Sequence, residues 1–296
     1  MAKPDHIDGY DDGYTAECER VLVTLLAGLG PWKDSVYLIG GLVPRYLVRE
    51  RPPNVPPHAG TLDVDVVIAL EILADTQAYH TLEENLKHMQ FERSESNGRK
   101  VSWRWQARTE RGMTVVLELI ADDPETSGGR VQALPTNGNI SALNIPHASM
   151  VFDLHEVTEI RAQLLGDNGI ATEQVRYANL VSFTCLKAFA FDQRHERKDA
   201  HDLVYCLEYA PGGVEAAAQQ FRDALGGPHT DVVDRALHIL ETRFVSDAET
   251  EGHLKDGPVA VSKFEHLDTS DTRERRVLRQ REASDVVEAL LRAIGR

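Results

Sequence analysis

The sequence is short of basic charge: 32 lysines and arginines stand against 47 acidic residues, a formal net charge of −15 over 296 residues. That balance excludes a protein that coats nucleic acid with its whole surface, because phosphate binding needs a cationic face. Cysteine is scarce as well. Cys18, Cys185 and Cys206 are scattered without metal-ligand spacing, and their odd number reads as free thiols in a reducing cytoplasm. Long apolar runs are missing. The longest, residues 21–29, is interrupted by Thr24 and Gly28 and is far too short to span a bilayer. The opening stretch MAKPDHIDGYDDGYTAE is acidic and polar, which a secretory leader is not. What remains is a globular chain, expected in the cytoplasm, long enough for one large or two ordinary domains.

The basic residues that are present cluster. Residues 93–111 hold Arg93, Arg99, Lys100, Arg104, Arg108 and Arg111 against Glu95 and Glu110, and residues 273–281 hold five arginines against Glu274. Such local patches on an acidic body suit a polyanion held at one place, or are simply solvated faces.

Hydrophobic periodicity predicts a helix over 15–29, a buried strand over 35–39 running into Gly40-Gly41, and a helix over 42–50. Four prolines make 51–60 a loop. A β-branched strand follows over 62–70, then a helix over 75–90 and strands near Phe91, over 101–108 and over 113–121. In 101–108, Trp103 and Trp105 share one face, suited to a core or to stacking a base. Arg104, Gln106 and Arg108 share the other, where Arg104 and Arg108 are candidates for RNA phosphate contacts. Residues 122–146 read as loop with at most short strands, and one or two strands lie within 149–165. From about 174 the pattern turns helical, with helices near 175–193, 198–209, 213–225, 231–244 and 272–294; residues 249–270 read as a linker or excursion. The expected fold class is α+β: a mixed sheet with flanking helices over 1–172, then a helical domain over 173–296.

The chemistry concentrates at Asp63-Val64-Asp65-Val66. Residues two apart on a strand point to one face, so Asp63 and Asp65 project together while Val64 and Val66 enter a core. Two adjacent carboxylates repel unless a cation lies between them, and Mg2+ bridging to phosphate oxygens resolves the conflict. Glu118, interrupting the apolar run Val115-Val-Leu-Glu-Leu-Ile120, is the candidate third metal ligand; a glutamate on a wet strand face is the other reading. Gly40 and Gly41 leave backbone amides open to phosphates, with the following helix offering its positive N-terminus.

The order strand–Gly-Gly–helix–loop–strand with Asp-x-Asp–helix–strand with an acid resembles the nucleotidyltransferase fold of the DNA polymerase β superfamily. Within it, the chain looks like the AbiEii/AbiGii toxin family, which includes the MenT-type toxins. The run Lys187-Ala-Phe-Ala190-Phe-Asp-Gln-Arg194-His-Glu-Arg-Lys198-Asp199-Ala-His-Asp202-Leu203 resembles that family's K-x-x-A…R…(R/K)-D-x-x-D-L signature. Thr61 matches the threonine the family places before the first aspartate, although its basic neighbour is replaced in His58-Ala-Gly-Thr61-Leu-Asp63. The resemblance implies an enzyme that uses NTP and Mg2+, releases pyrophosphate and acts on the tRNA 3′ end, as a toxin with a cognate antitoxin protein. It assigns catalysis to Asp63, Asp65, Lys187 and Asp202, and metal binding to Asp63, Asp65 and Glu118. Nucleotide binding falls to Gly40, Gly41, Thr61, Lys187, Arg194 and Asp199. Lys187 and Arg194 are two helical turns apart and share a face; Asp199 and Asp202 orient one of them, contact metal or acceptor, or stabilise a helix start. His195 and His201 read as ordinary surface histidines. Transfer to a small molecule or protein, and an inert nucleotide- or partner-binding relative, are the alternatives.

Overall fold

The computed structural model describes residues 3–49, 55–69, 82–96, 98–134 and 139–296. The chain divides into two compact units: a sheet unit, Asp11–Val43 with Gly60–Ala178, and a helical unit, Met1–Tyr10 with Pro44–Ala59 and Asn179–Arg296. The fold class is α+β, as expected, but the boundary moves. Position 172 falls inside a strand that runs to Ala178, and the proline-rich excursion joins the helices.

In the sheet unit, α1 (Asp12–Leu29) starts where the Asp11 carboxylate accepts the amide protons of Gly13 and Tyr14 and stops at Gly30, whose φ is +58°. Its apolar face, including Val21, Leu22, Leu25 and Leu26, is buried. Among the described residues nine strands form one mixed sheet: β1 (Val36–Ile39), β2 (Asp63–Ile68), β3 (Glu92–Ser96), β4 (Arg99–Arg108), β5 (Thr114–Ala121), β6 (Val131–Ala133), β7 (Ser141–Asn144), β8 (His155–Gln163) and β9 (Ile170–Ala178). The order is β3-β4-β5-β2-β1-β9-β8, with β7 beside β5 and β6 beside β7. β2 is central: it runs antiparallel to β1 and parallel to β5. Val64, Val66, Leu117, Leu119 and Trp105 fill the core beneath it.

Two expectations change here, and a third falls partly outside the described residues. The helix after Gly40-Gly41 is a 3-10 turn, Gly40–Leu42, followed by a single helical turn, α2 (Pro44–Leu47), so no extended helix presents its N-terminus to a ligand. The helix expected over 75–90 is seen as α3 (Leu82–His88), and residues 70–81 lie outside the described residues, as do 50–54 of the proline-rich loop. β9 occupies sequence expected to be turning helical. Its Val175 and Tyr177 alternate inward while Gln174 is exposed, the period of a strand.

The helical unit contains α4 (Leu180–Arg194), α5 (Arg197–Glu208), α6 (Gly213–Leu225), α7 (Thr230–Phe244), α8 (Asp256–Glu265) and α9 (Arg273–Ile294). The Asn179 side chain caps α4 through the Ser182 amide, and α4 ends at His195 in the left-handed region. α8 corrects the expected linker. It packs against α5 and α9 and buries Val261 and Phe264 completely, its Gly257-Pro258 pair sitting in the first turn where proline is tolerated. No helix of the described residues is long and apolar enough to cross a membrane.

Candidate active site

Strand register builds the site in the sheet unit. Asp65 pairs with Ile39 on β1 and with Glu118 on β5, and Glu118 pairs in turn with Arg104 on β4. Directly paired residues share a face, so Arg104, Glu118 and Asp65 form a row across three strands, with Asp63 one step along β2 on the same face. Oxygens of Asp63, Asp65 and Glu118 lie within 4.8 Å of one another. Asp63 is buried, and Asp65 and Glu118 are half-buried.

The carboxylates are held from behind. The Thr61 hydroxyl donates to Asp63 Oδ1 at 2.8 Å, while the Thr61 amide donates to Thr15 Oγ1 on α1 at 3.1 Å. The Cys18 thiol donates to the Thr61 carbonyl at 3.7 Å. Burial, with the negative charges of Asp63 and Asp65, pushes that thiol's pKa up, so it stays protonated. Gly40 suits its place for a geometric reason: its φ is +75°, and a Cβ there would run into the Asp65 carboxylate. Gly41 is buried in the same turn. Arg104 Nε lies 3.1 Å from Glu118 Oε1, which places the arginine on the acidic row, whereas Arg108 is exposed. Trp105 is fully buried, the core alternative of the two readings.

These residues fit a hard divalent cation. All the donors are carboxylate oxygens, the preference of Mg2+, and their mutual repulsion is relieved by a shared ion.

Lys187, Arg194, Asp199 and Asp202 belong to the helical unit, where they form a buried charge network. Lys187 Nζ donates to Asp199 Oδ1 at 2.9 Å and to Asp202 Oδ2 at 2.7 Å. Arg194 grips Asp199 with two bonds of 2.6 and 2.9 Å and keeps half of its side chain in solvent. Burial alone would lower the Lys187 pKa, but Asp199 and Asp202 outweigh it and hold it up. The same contacts, again against burial, hold Asp199 low and Asp202 well below the usual carboxylate range.

Two members of the network were assigned no site role from the sequence. Lys198 donates to both Asp202 oxygens, at 2.7 and 2.8 Å, an i,i+4 pair on α5 that its spacing announces. Burial, with Lys187 beside it, lowers its pKa. His58 Nε2 meets Asp202 Oδ1 at 2.8 Å, in a loop pinned where the Tyr205 hydroxyl donates to the Pro56 carbonyl at 3.0 Å. Burial drops the His58 pKa to about 4 despite Asp202, so at neutral pH this is a hydrogen bond from a neutral ring. His195 is exposed as expected, but His201 is not a surface residue. It is 4% exposed, packs on Phe264 and bonds Glu265 through Nδ1 at 2.9 Å. His58, His201 and Asp202 also gather within 4.8 Å, yet both Asp202 oxygens already hold ammonium groups, which repel a metal ion.

No protein-family model matches the chain, and no curated protein matches it at a significant level. A solved structure similar to it is an antigenic nucleotidyltransferase-like protein from Paracoccidioides brasiliensis, 16% identical over 74% of this chain and 93% of that one, with a TM-score of 0.37. A likeness at that score decides neither fold nor activity.

Proposed function

We propose that the chain is a Mg2+-dependent nucleotidyltransferase that moves a nucleoside monophosphate from an NTP to an acceptor. The observation that carries this reading is the gathering of Asp63, Asp65 and Glu118 oxygens within 4.8 Å on one sheet face. When bound there, Mg2+ would offset triphosphate charge and make the acceptor hydroxyl more acidic. The chain's own residues supply the rest. Thr61 fixes the Asp63 carboxylate, and Gly40 leaves room for the Asp65 carboxylate. In the transfer, the acceptor oxygen bonds to the α-phosphorus, its proton passes to Asp65 or Glu118, the α–β bridging bond breaks and pyrophosphate leaves.

The sequence resemblance supports a role for Lys187, Arg194, Asp199 and Asp202 in handling the nucleotide. Of the two cations, Arg194 is the one with solvent access to a phosphate, while Lys187 is committed to Asp199 and Asp202. The resemblance also supports the tRNA 3′ end as acceptor, and a cytoplasmic toxin countered by an antitoxin protein.

The test is to incubate the protein with total tRNA, Mg2+ and each α-labelled NTP in turn, beside an Asp63→Ala variant. Label on tRNA with one or two of the nucleotides, lost in the variant, is the expected result. Label on a protein or small-molecule acceptor instead would keep the chemistry and replace the acceptor. No transfer to any acceptor would remove the enzymatic reading.

A further inference from the structure

The acidic row ends in a cation that no catalytic assignment uses. Arg104 stands directly across the β4–β5 pair from Glu118, and Glu118 directly across the β5–β2 pair from Asp65. Its Nε is 3.1 Å from Glu118 Oε1, and both side chains are largely withdrawn from water, 23% and 16% exposed. A guanidinium at this distance neutralises the same carboxylate a metal ion would use, and it repels the ion directly.

Resting on the metal-site reading above, we infer that Arg104 is a positioning residue that competes with the divalent ion for Glu118. It serves as the third carboxylate's resident counter-ion and lowers the site's intrinsic metal affinity. The arginine and the glutamate stem from directly paired positions on adjacent, hydrogen-bonded strands, which keeps the guanidinium within reach of the Glu118 carboxylate. A metal ion that arrives with a triphosphate brings negative charge with it and overcomes the competition; an ion arriving alone meets it in full. Arg104 thereby favours loading of the ion together with nucleotide over loading of the ion by itself.

The experiment is equilibrium titration of the full chain with Mn2+ alone, followed by electron paramagnetic resonance of the unbound ion. Wild type is compared with Arg104→Gln, which keeps hydrogen-bonding capacity but loses the charge, and with Arg104→Lys, which keeps the charge. Arg104→Gln is expected to bind Mn2+ about tenfold more tightly, the order expected for removing one partly exposed charge contact from a binding equilibrium. Arg104→Lys is expected within about threefold of wild type, on the same scale. Thermal unfolding of each variant establishes that it is folded before titration. Affinity unchanged or weakened in folded Arg104→Gln overturns the inference while leaving the metal site standing. Tightening in Arg104→Lys equal to that in Arg104→Gln overturns it too, because charge would then not be the cause. Absence of Mn2+ binding to wild type, equal to an Asp63→Asn control, overturns the inference together with the metal-site reading on which it rests.

Discussion

Replacing Lys187 by methionine removes one ammonium from between two buried carboxylates. Asp199 and Asp202 are 2% and 0% exposed, and the Lys187 ammonium reaches them across 2.9 and 2.7 Å. Each of these ion pairs is worth about 6 kcal/mol of gross attraction at an effective dielectric constant of 20, nearly all of it spent offsetting desolvation in the intact network. Breaking such a network by deleting one partner leaves buried charge uncompensated, at a cost of about 3–5 kcal/mol. The lower end applies here, since Arg194 still grips Asp199 and Lys198 still holds both Asp202 oxygens. Lys187→Met is therefore expected to lose about 3 kcal/mol in urea unfolding at pH 7, followed by circular dichroism. A triple variant, Lys187→Met with Asp199→Asn and Asp202→Asn, should not recover that loss, because it strands the largely buried Lys198 ammonium that both Asp202 oxygens hold. The deficit of the single variant shrinks only once pH falls below the free carboxylate value of about 3.9, because the fold holds Asp199 and Asp202 low; protonating them then costs wild type its ion pairs and relieves the variant. A Lys187→Met protein within about 1 kcal/mol of wild type at pH 7 would refute the reasoning, because a pair worth so little behaves as a solvated one.

Three further outcomes follow from the geometry. His58 has its pKa lowered to about 4, so the folded state favours the neutral ring; stability is full above about 6.5 and falls as pH drops from there to 4, by up to about 3 kcal/mol, and His58→Asn should flatten that slope in urea midpoints measured against pH. Gly40→Ala places a Cβ on the Asp65 carboxylate and forces a non-glycine residue to φ +75°. It should weaken Mn2+ binding and cost about 1–2 kcal/mol, and the Gly40→Ala, Asp65→Ala double variant should cost less than the sum of the single ones in thermal unfolding. Phe264→Ala should cost about 3–5 kcal/mol in urea unfolding if α8 belongs to the core, against well under 1 kcal/mol for an exposed linker position.

The legible part of the site was the part written in local period. Two carboxylates at a spacing of two on a β-branched strand must share a face, whereas the close approach of Gly40 to the Asp65 carboxylate shows only in the fold. The charged positions on α4 and α5 were legible for the same reason, because helical spacing puts them together. Register was not legible. Alternation showed that Arg104 left the tryptophan face, but only strand order reveals that its neighbour across the pair is Glu118. His58 was invisible because a proline-rich loop has no period, and its docking depends on one hydroxyl of Tyr205. His201 was misread because its polarity outweighed its position on the buried face of α5, between Ala200 and Leu203. α8 was missed because Gly257 and Pro258 resemble loop punctuation when they stand in a helix's first turn.

The most direct test of a metal centre on β2 and β5 is crystallographic: crystals grown with MnCl2 and a non-hydrolysable NTP, measured at a wavelength where manganese scatters anomalously. The prediction is an anomalous peak coordinated by Asp63 and Asp65, with Glu118 completing or adjoining the shell. Nucleotide bound with no peak at those carboxylates, or a peak held elsewhere in the chain, would contradict it.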